Sequence, residues 1–192
     1  EFNPDTFNRI RQNYAAMIEN IDRHVGRLID EVQKRGELEN TVIIYSSDHG
    51  EMLDDHGLRG KGEPHQASVR VPLIMSTPDV AAGRSTDALV SLYDLTATML
   101  DYADLPPLPE MDSRSLRPLV KGERDDHRDH VLSGLEGGSH KWRMVYDGRH
   151  KLVEHREGDL LLFDLEEDPW EDNNLANERA EVLEELKPEL VW

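Results

Sequence analysis

Residues 41–51 read Thr41-Val42-Ile43-Ile44-Tyr45-Ser46-Ser47-Asp48-His49-Gly50-Glu51, a short β-branched apolar run that stops in a carboxylate, an imidazole and a glycine. A run this short and this continuously apolar predicts a strand buried on both faces of a parallel sheet. Open α/β sheets gather ligands at the carboxyl ends of their strands, so Asp48 and His49 stand where a site would form. Successive strand side chains point to opposite faces. That alternation lapses where strand gives way to loop, and Gly50 permits a turn that brings Asp48 and His49 toward one ion. A carboxylate oxygen with an imidazole nitrogen suits a divalent cation, from calcium to manganese or zinc. The competing reading is a strand-terminating turn in which Asp48 caps backbone amides.

Upstream, Ile10, Tyr14, Ile18, Ile21, Val25, Leu28 and Val32 recur at three- and four-residue steps, which predicts one long amphipathic helix. Asn3 is its N-cap candidate, Pro4 suits the first helical position, and Lys34-Arg35-Gly36 marks its end. Helix followed by buried strand predicts an α/β layer. Downstream, residues 48–70 are rich in Gly, His and charge without apolar periodicity, which predicts an exposed loop; Val71-Pro72-Leu73-Ile74-Met75 is the second strand. A helix is expected over 91–102, and Leu105-Pro106-Pro107-Leu108-Pro109 ends the layer. The division expected is 1–108 and 109–192. In the second part a short helix is expected over 113–120, strands over 131–133, 142–146, 151–154 and 160–163, a hairpin turn at Asp147-Gly148, and a closing helix over 178–190. This half reads as a small antiparallel sheet with a C-terminal helix.

The loop carries Gly60-Lys61-Gly62. A lysine between glycines can approach a tetrahedral oxyanion as a point charge while the glycines leave room for the backbone; the alternative is an ordinary solvated lysine. Five histidines, at 127, 130, 140, 150 and 155, have no metal-ligand spacing such as HExxH and read as scattered surface residues. The acidic run 164–172 contains Pro169 and lacks the glycine of a calcium-binding EF-hand loop, so it reads as a turn.

With 192 residues and 37% hydrophobic content, the chain can bury one ordinary domain or a domain with a small appendage. The absence of cysteine excludes disulfides, thiolate metal ligands and a cysteine nucleophile within these residues. Twenty-two basic against 40 acidic residues give a net charge of -18, which argues against a nucleic acid partner. No apolar run reaches the roughly 18 residues of a membrane span, so no membrane partner is expected and the chain is expected to be soluble. Its start has no signal-like pattern. A signal peptide could lie upstream, and the compartment is unassigned.

Taken in order, residues 40–50, His56-Gly57-Leu58, Gly60-Lys61-Gly62, residues 69–74, the helix over 91–100, Gly148-Arg149-His150-Lys151-Leu152, and Leu162-Phe163-Asp164-Leu165-Glu166-Glu167-Asp168-Pro169 with Asn173-Asn174-Leu175 resemble the sulfatase family of the alkaline-phosphatase-like superfamily. The resemblance covers nearly the whole chain. It implies part of an alkaline-phosphatase-like parallel-sheet domain, followed by the small antiparallel sheet and helix. It implies hydrolysis of a sulfate ester, on a small molecule or a sulfated glycan. Asp48 and His49 become metal ligands, for calcium first, with manganese, magnesium or zinc as the other metals. Lys61 becomes the catalytic cation that also contacts the sulfate. His56 and His65 are candidate substrate contacts; His56 suits loop packing equally, and His65-Gln66 stands where many relatives carry Tyr-Glu.

The family's nucleophile is a formylglycine made from the first residue of a C/S-x-P-x-R motif, which precedes this region in the family. The nearest match here, Ser76-Thr77-Pro78-Asp79-Val80, lacks the arginine and comes after the metal loop. The chain therefore reads as a C-terminal portion, inactive by itself and open to self-association through uncovered apolar surface. Two rivals remain: a phosphonate monoester or phosphodiester hydrolase of the same superfamily, and an inactive truncated interaction module.

Overall fold

A computed structural model describes residues 4–80, 83–137 and 141–190. The chain forms two compact units, the first comprising Glu1–Lys61 with Arg70–Ala82, the second Gly62–Val69 with Gly83–Trp192.

In the first unit, helix α1 spans Pro4–Lys34. The expected N-cap, Asn3, lies outside the described residues. The other end closes as the sequence predicts: Gly36 takes φ +71°, and the amides of Gly36 and Glu37 bond back to the carbonyls of Gln33 and Val32. Those two bonds and the left-handed glycine form a Schellman cap, which satisfies carbonyls that the last helical turn leaves open. Met17, Ile18, Ile21 and Leu28 on the apolar stripe are exposed. Strands β1 (Ile43–Ser46) and β2 (Leu73–Ser76) pair antiparallel, Ile43 opposite Ser76 and Ser46 opposite Leu73. This corrects the expected parallel arrangement for these strands. The 26-residue connection returns the chain in the opposite direction, and β1 is only partly buried along its length. Among the described residues the pair carries no third strand.

The second unit holds a one-turn helix α2 (Gln66–Val69), helix α3 (Asp94–Tyr102) and a short α4 (Arg117–Lys121). It continues with strands β3 (Val131–Leu135), β4 (Trp142–Tyr146), β5 (His150–His155) and β6 (Leu160–Asp164), then α5 (Ala180–Leu186). The four strands form an antiparallel meander in chain order, which realises the small antiparallel sheet expected. Their register places Val145, Leu152 and Leu162 side by side in one row, and Met144, Val153 and Leu161 in the next. Because strand side chains alternate, these rows face opposite sides. The first row packs with Leu186 and Leu190 of the C-terminal segment, the second with Trp142 and with Val69 from the 62–69 segment.

Asp94 ties α3 to the segment on its C-terminal side. Its carboxylate accepts the amides of Ser91 and Arg114 and pairs with Arg128, and Thr98 Oγ1 accepts the Leu116 amide at 2.9 Å. These bonds bridge the proline-rich stretch around residue 108.

Candidate metal and anion site

At the end of β1 the backbone leaves the strand through Ser47, whose hydroxyl donates to the His49 carbonyl at 2.8 Å. This turn brings the two predicted ligands together, with Asp48 Oδ2 3.5 Å from His49 Nε2. The other Asp48 oxygen accepts the His49 amide at 3.1 Å, as the capping reading expects. His49 Nδ1 lies 2.8 Å from the Gly50 carbonyl. A carbonyl only accepts, so Nδ1 carries a proton, and in the neutral ring Nε2 keeps its lone pair. A backbone carbonyl holding one imidazole nitrogen is the usual way a protein presents the other nitrogen to a metal. Here Nε2 faces Lys61 Nζ at 2.6 Å.

The loop from Glu51 to Gly60 returns the chain to this point. Leu53, Asp54 and His56 adopt positive φ, which non-glycine residues rarely do outside tight turns. Arg11 of α1 reaches the rim, bonding Asp55 Oδ1 at 2.6 Å and the Leu53 carbonyl at 3.4 Å. Asp54 lies below the ordinary carboxylate range, held there by its hydrogen bond from Arg59.

Among the predicted site residues, Asp48, His49 and Lys61 therefore lie together. His56 sits exposed in the 3-10 turn Asp55–Gly57. His65 belongs to the second unit. Its Nδ1 is 3.5 Å from Glu171 Oε2, and its ring lies 6.2 Å from that of Phe163. Glu171 also accepts the Gln66 amide at 2.7 Å and forms a buried ion pair with Lys151, whose Nζ donates to the Pro64 carbonyl at 2.7 Å. The residues around 64–66 are thus pinned to the sheet by Lys151 and Glu171. Neither was a predicted site residue: Lys151 read only as a strand position, and Glu171 was one acid in a run of acids.

Among the described residues no group of three or more His, Asp or Glu could hold a metal. Three of the scattered histidines have separate partners: His127 faces Asp94, His130 faces Glu189, and His150 lies between Asp147 and Asp164. His140 lies outside the described residues. Asp48 and His49 fit two positions of a divalent-metal shell and no more. No described helix is long and apolar enough to cross a membrane.

Two family models match the chain, Sulfatase over residues 1–105 and N-sulphoglucosamine sulphohydrolase, C-terminal, over 54–191. Arylsulfatase K of Rattus norvegicus is 33% identical over 99% of this chain, and an arylsulfatase of Clostridium perfringens 30% identical over 96%. The chain spans only 36% and 40% of those two proteins. A protein solved in complex with its substrate D-glucosamine-2-N,6-O-disulfate superposes with a TM-score of 0.87 at 28% identity, over 92% of this chain and 38% of its own. The phosphonate monoester hydrolase of Silicibacter pomeroyi superposes at 0.79 with 30% identity, over 88% and 37%. Fold and matches together define a segment of the alkaline-phosphatase-like class. Within that class, the chain belongs to the sulfatase family. Membership of the family implies a divalent metal and a formylglycine.

Proposed function

We propose that this chain is the C-terminal part of a sulfuric-ester hydrolase of arylsulfatase type, and that it supplies two metal ligands and the sulfate-facing cation of the active site. The observation that carries this reading is the convergence of Asp48, His49 and Lys61 at the end of β1, with Lys61 Nζ 2.6 Å from His49 Nε2. Asp48 and His49 would hold the metal, with calcium first, as the family resemblance implies, and manganese, magnesium or zinc as the other metals. When bound, the metal supplies positive charge to the sulfate oxygens. Lys61 brings a mobile ammonium that can meet an oxyanion, and losing one such donor costs about 10²–10³ in rate. Residues 1–108 belong on this reading to the catalytic domain, which the end of the Sulfatase match at residue 105 supports, and 109–192 to the small C-terminal subdomain. His65, turned toward Glu171, serves the fold rather than the substrate, while His56, exposed on its turn, stays a candidate substrate contact. The substrate is a sulfated small molecule or glycan, supported by the disulfated glucosamine on the structural relative.

The test uses a full-length form that contains this chain. Asp48→Ala should abolish metal retention and turnover together, whereas Lys61→Ala should keep the metal and lower turnover. Full metal occupancy and activity in Asp48→Ala would reduce the Asp-His pair to a strand-end turn. The likeness to a phosphonate monoester hydrolase favours a second reading, and relative rates on aryl sulfates and phosphonate monoesters separate the two.

A further inference from the structure

The loop between His49 and Lys61 has a carboxylate at its neck. Glu51 Oε1 accepts the Gly60 amide at 2.6 Å and the Leu53 amide at 3.4 Å. On its other side, the Gly60 carbonyl accepts the Met52 amide at 2.9 Å, and Met52 is fully buried. Gly60 is thus held through both of its backbone groups, with φ +79°, a left-handed conformation suited to glycine. The next residue is Lys61. Lys61 is exposed, and the Asp48 side chain retains 85% of its accessible surface, so packing holds neither of them in place. A lysine on a flexible four-carbon stem sweeps a large volume unless its backbone origin is fixed.

We propose that Glu51 is a positioning residue for Lys61: by fixing Gly60 it sets the point from which the lysine side chain departs, so that the ammonium meets the Asp48-His49 pair. The catalytic consequence rests on the function proposed above; the placement itself does not. Glu51 acts here as an acceptor, not as a charge partner of Lys61. A glutamine side-chain carbonyl can accept the same amide, so Glu51→Gln should preserve the arrangement and Glu51→Ala should lose it.

The placement is read in the isotopically labelled 192-residue chain by NMR. In Glu51→Ala, Gly60 amide exchange should accelerate by up to about tenfold, the net worth of one hydrogen bond. The cross-relaxation contact between the Lys61 ε-protons and the His49 ring should vanish. Glu51→Gln should keep both signals. Protection of Leu152 and Leu162 in the four-stranded sheet should be unchanged in all forms, which separates a loop effect from unfolding.

In a full-length form, Glu51→Ala should lower kcat by about 10–100-fold with KM little changed, as a displaced catalytic group does. Adding Glu51→Ala to Lys61→Ala should cost almost nothing further, since residues acting as a unit are not additive. Retained Gly60 protection with an intact Lys61-His49 contact in Glu51→Ala, or additive losses in the double variant, overturns the proposal. If the full-length form does not turn over sulfate esters, the functional reading falls, and the exchange and cross-relaxation comparison alone decides the placement.

Discussion

Lys151 has no exposed surface, and its neighbours Leu152 and Val153 are equally buried. Burial pushes its ammonium below the ordinary lysine range, and Glu171 opposes that shift. Burial likewise pushes Glu171 up, but hydrogen bonding with His65 and the charge of Lys151 outweigh it and hold the carboxyl below its ordinary value. Breaking such a pair on one side strands the other charge. Lys151→Met should therefore cost about 3–5 kcal/mol of stability, and the double change Lys151→Met with Glu171→Leu should recover much of it, read by urea denaturation. Asp94 is a second case. Burial raises its carboxyl, while Arg128 and the amides of Arg114 and Ser91 lower it further, to a net value below the ordinary 3.8. A depressed carboxyl contributes fully above its unfolded value and loses that contribution as pH falls through its folded value. Stability should thus be flat in Asp94 and Glu171 above about pH 5 and fall steadily below it, the reference values being 3.8 and 4.5. Asp94→Asn should be less stable at pH 7 and fall less steeply in acid. Thermal midpoints from pH 7 to pH 3 check both. Asp48, His49 and Lys61 were singled out by the family resemblance, since their local signatures left a strand-end turn and a solvated lysine open; the structure brings the three side chains together. Glu51 and Glu171 were not singled out, because an acceptor for a distant amide looks like any other acid.

Among the elements, strands were found by pattern and their partners were not. The run 41–46 is apolar on both faces, and that property predicts burial without saying against what. The structure pairs β1 with β2 antiparallel and leaves Ile74 63% exposed. In the second unit the turn signal carried further, because short connections such as Asp147-Gly148 allow only an antiparallel neighbour. Gly148 takes φ +105°, a conformation that L side chains rarely adopt. The elements also differ in what a substitution costs. Leu152→Ala, with no exposed surface and two flanking strands, should lose about 2–5 kcal/mol. Leu28→Glu on α1, at 68% exposure, should stay within about 0.5 kcal/mol in this chain. Chemical denaturation of the two variants, compared with the parent chain, measures the difference.

At the scale of the molecule, the relatives are more than twice as long as this chain, which spans 36% and 40% of the two arylsulfatases. The 192 residues alone should show no turnover on a chromogenic aryl sulfate, because Lys61 can stabilise charge but no C/S-x-P-x-R motif is present in the chain. Turnover above buffer that survives repurification would contradict this. The exposed Met17, Ile18, Ile21 and Leu28 should drive concentration-dependent self-association, seen by sedimentation; a strict monomer that binds no hydrophobic dye would show the face to be tolerated in water.

The eight residues 62–69 belong to the second unit although residues 61 and 70 belong to the first. They supply the Gly62 carbonyl that accepts the Trp142 indole at 2.7 Å and the Pro64 carbonyl that accepts Lys151. The chain therefore passes from one unit to the other three times, and no single break in the gene separates them. Starting expression at residue 83 would yield a sheet with its tryptophan and lysine stripped of those acceptors. Inheritance meets the same obstacle as the bench: recombination cannot move the four-stranded sheet to another protein without also carrying part of the lysine loop.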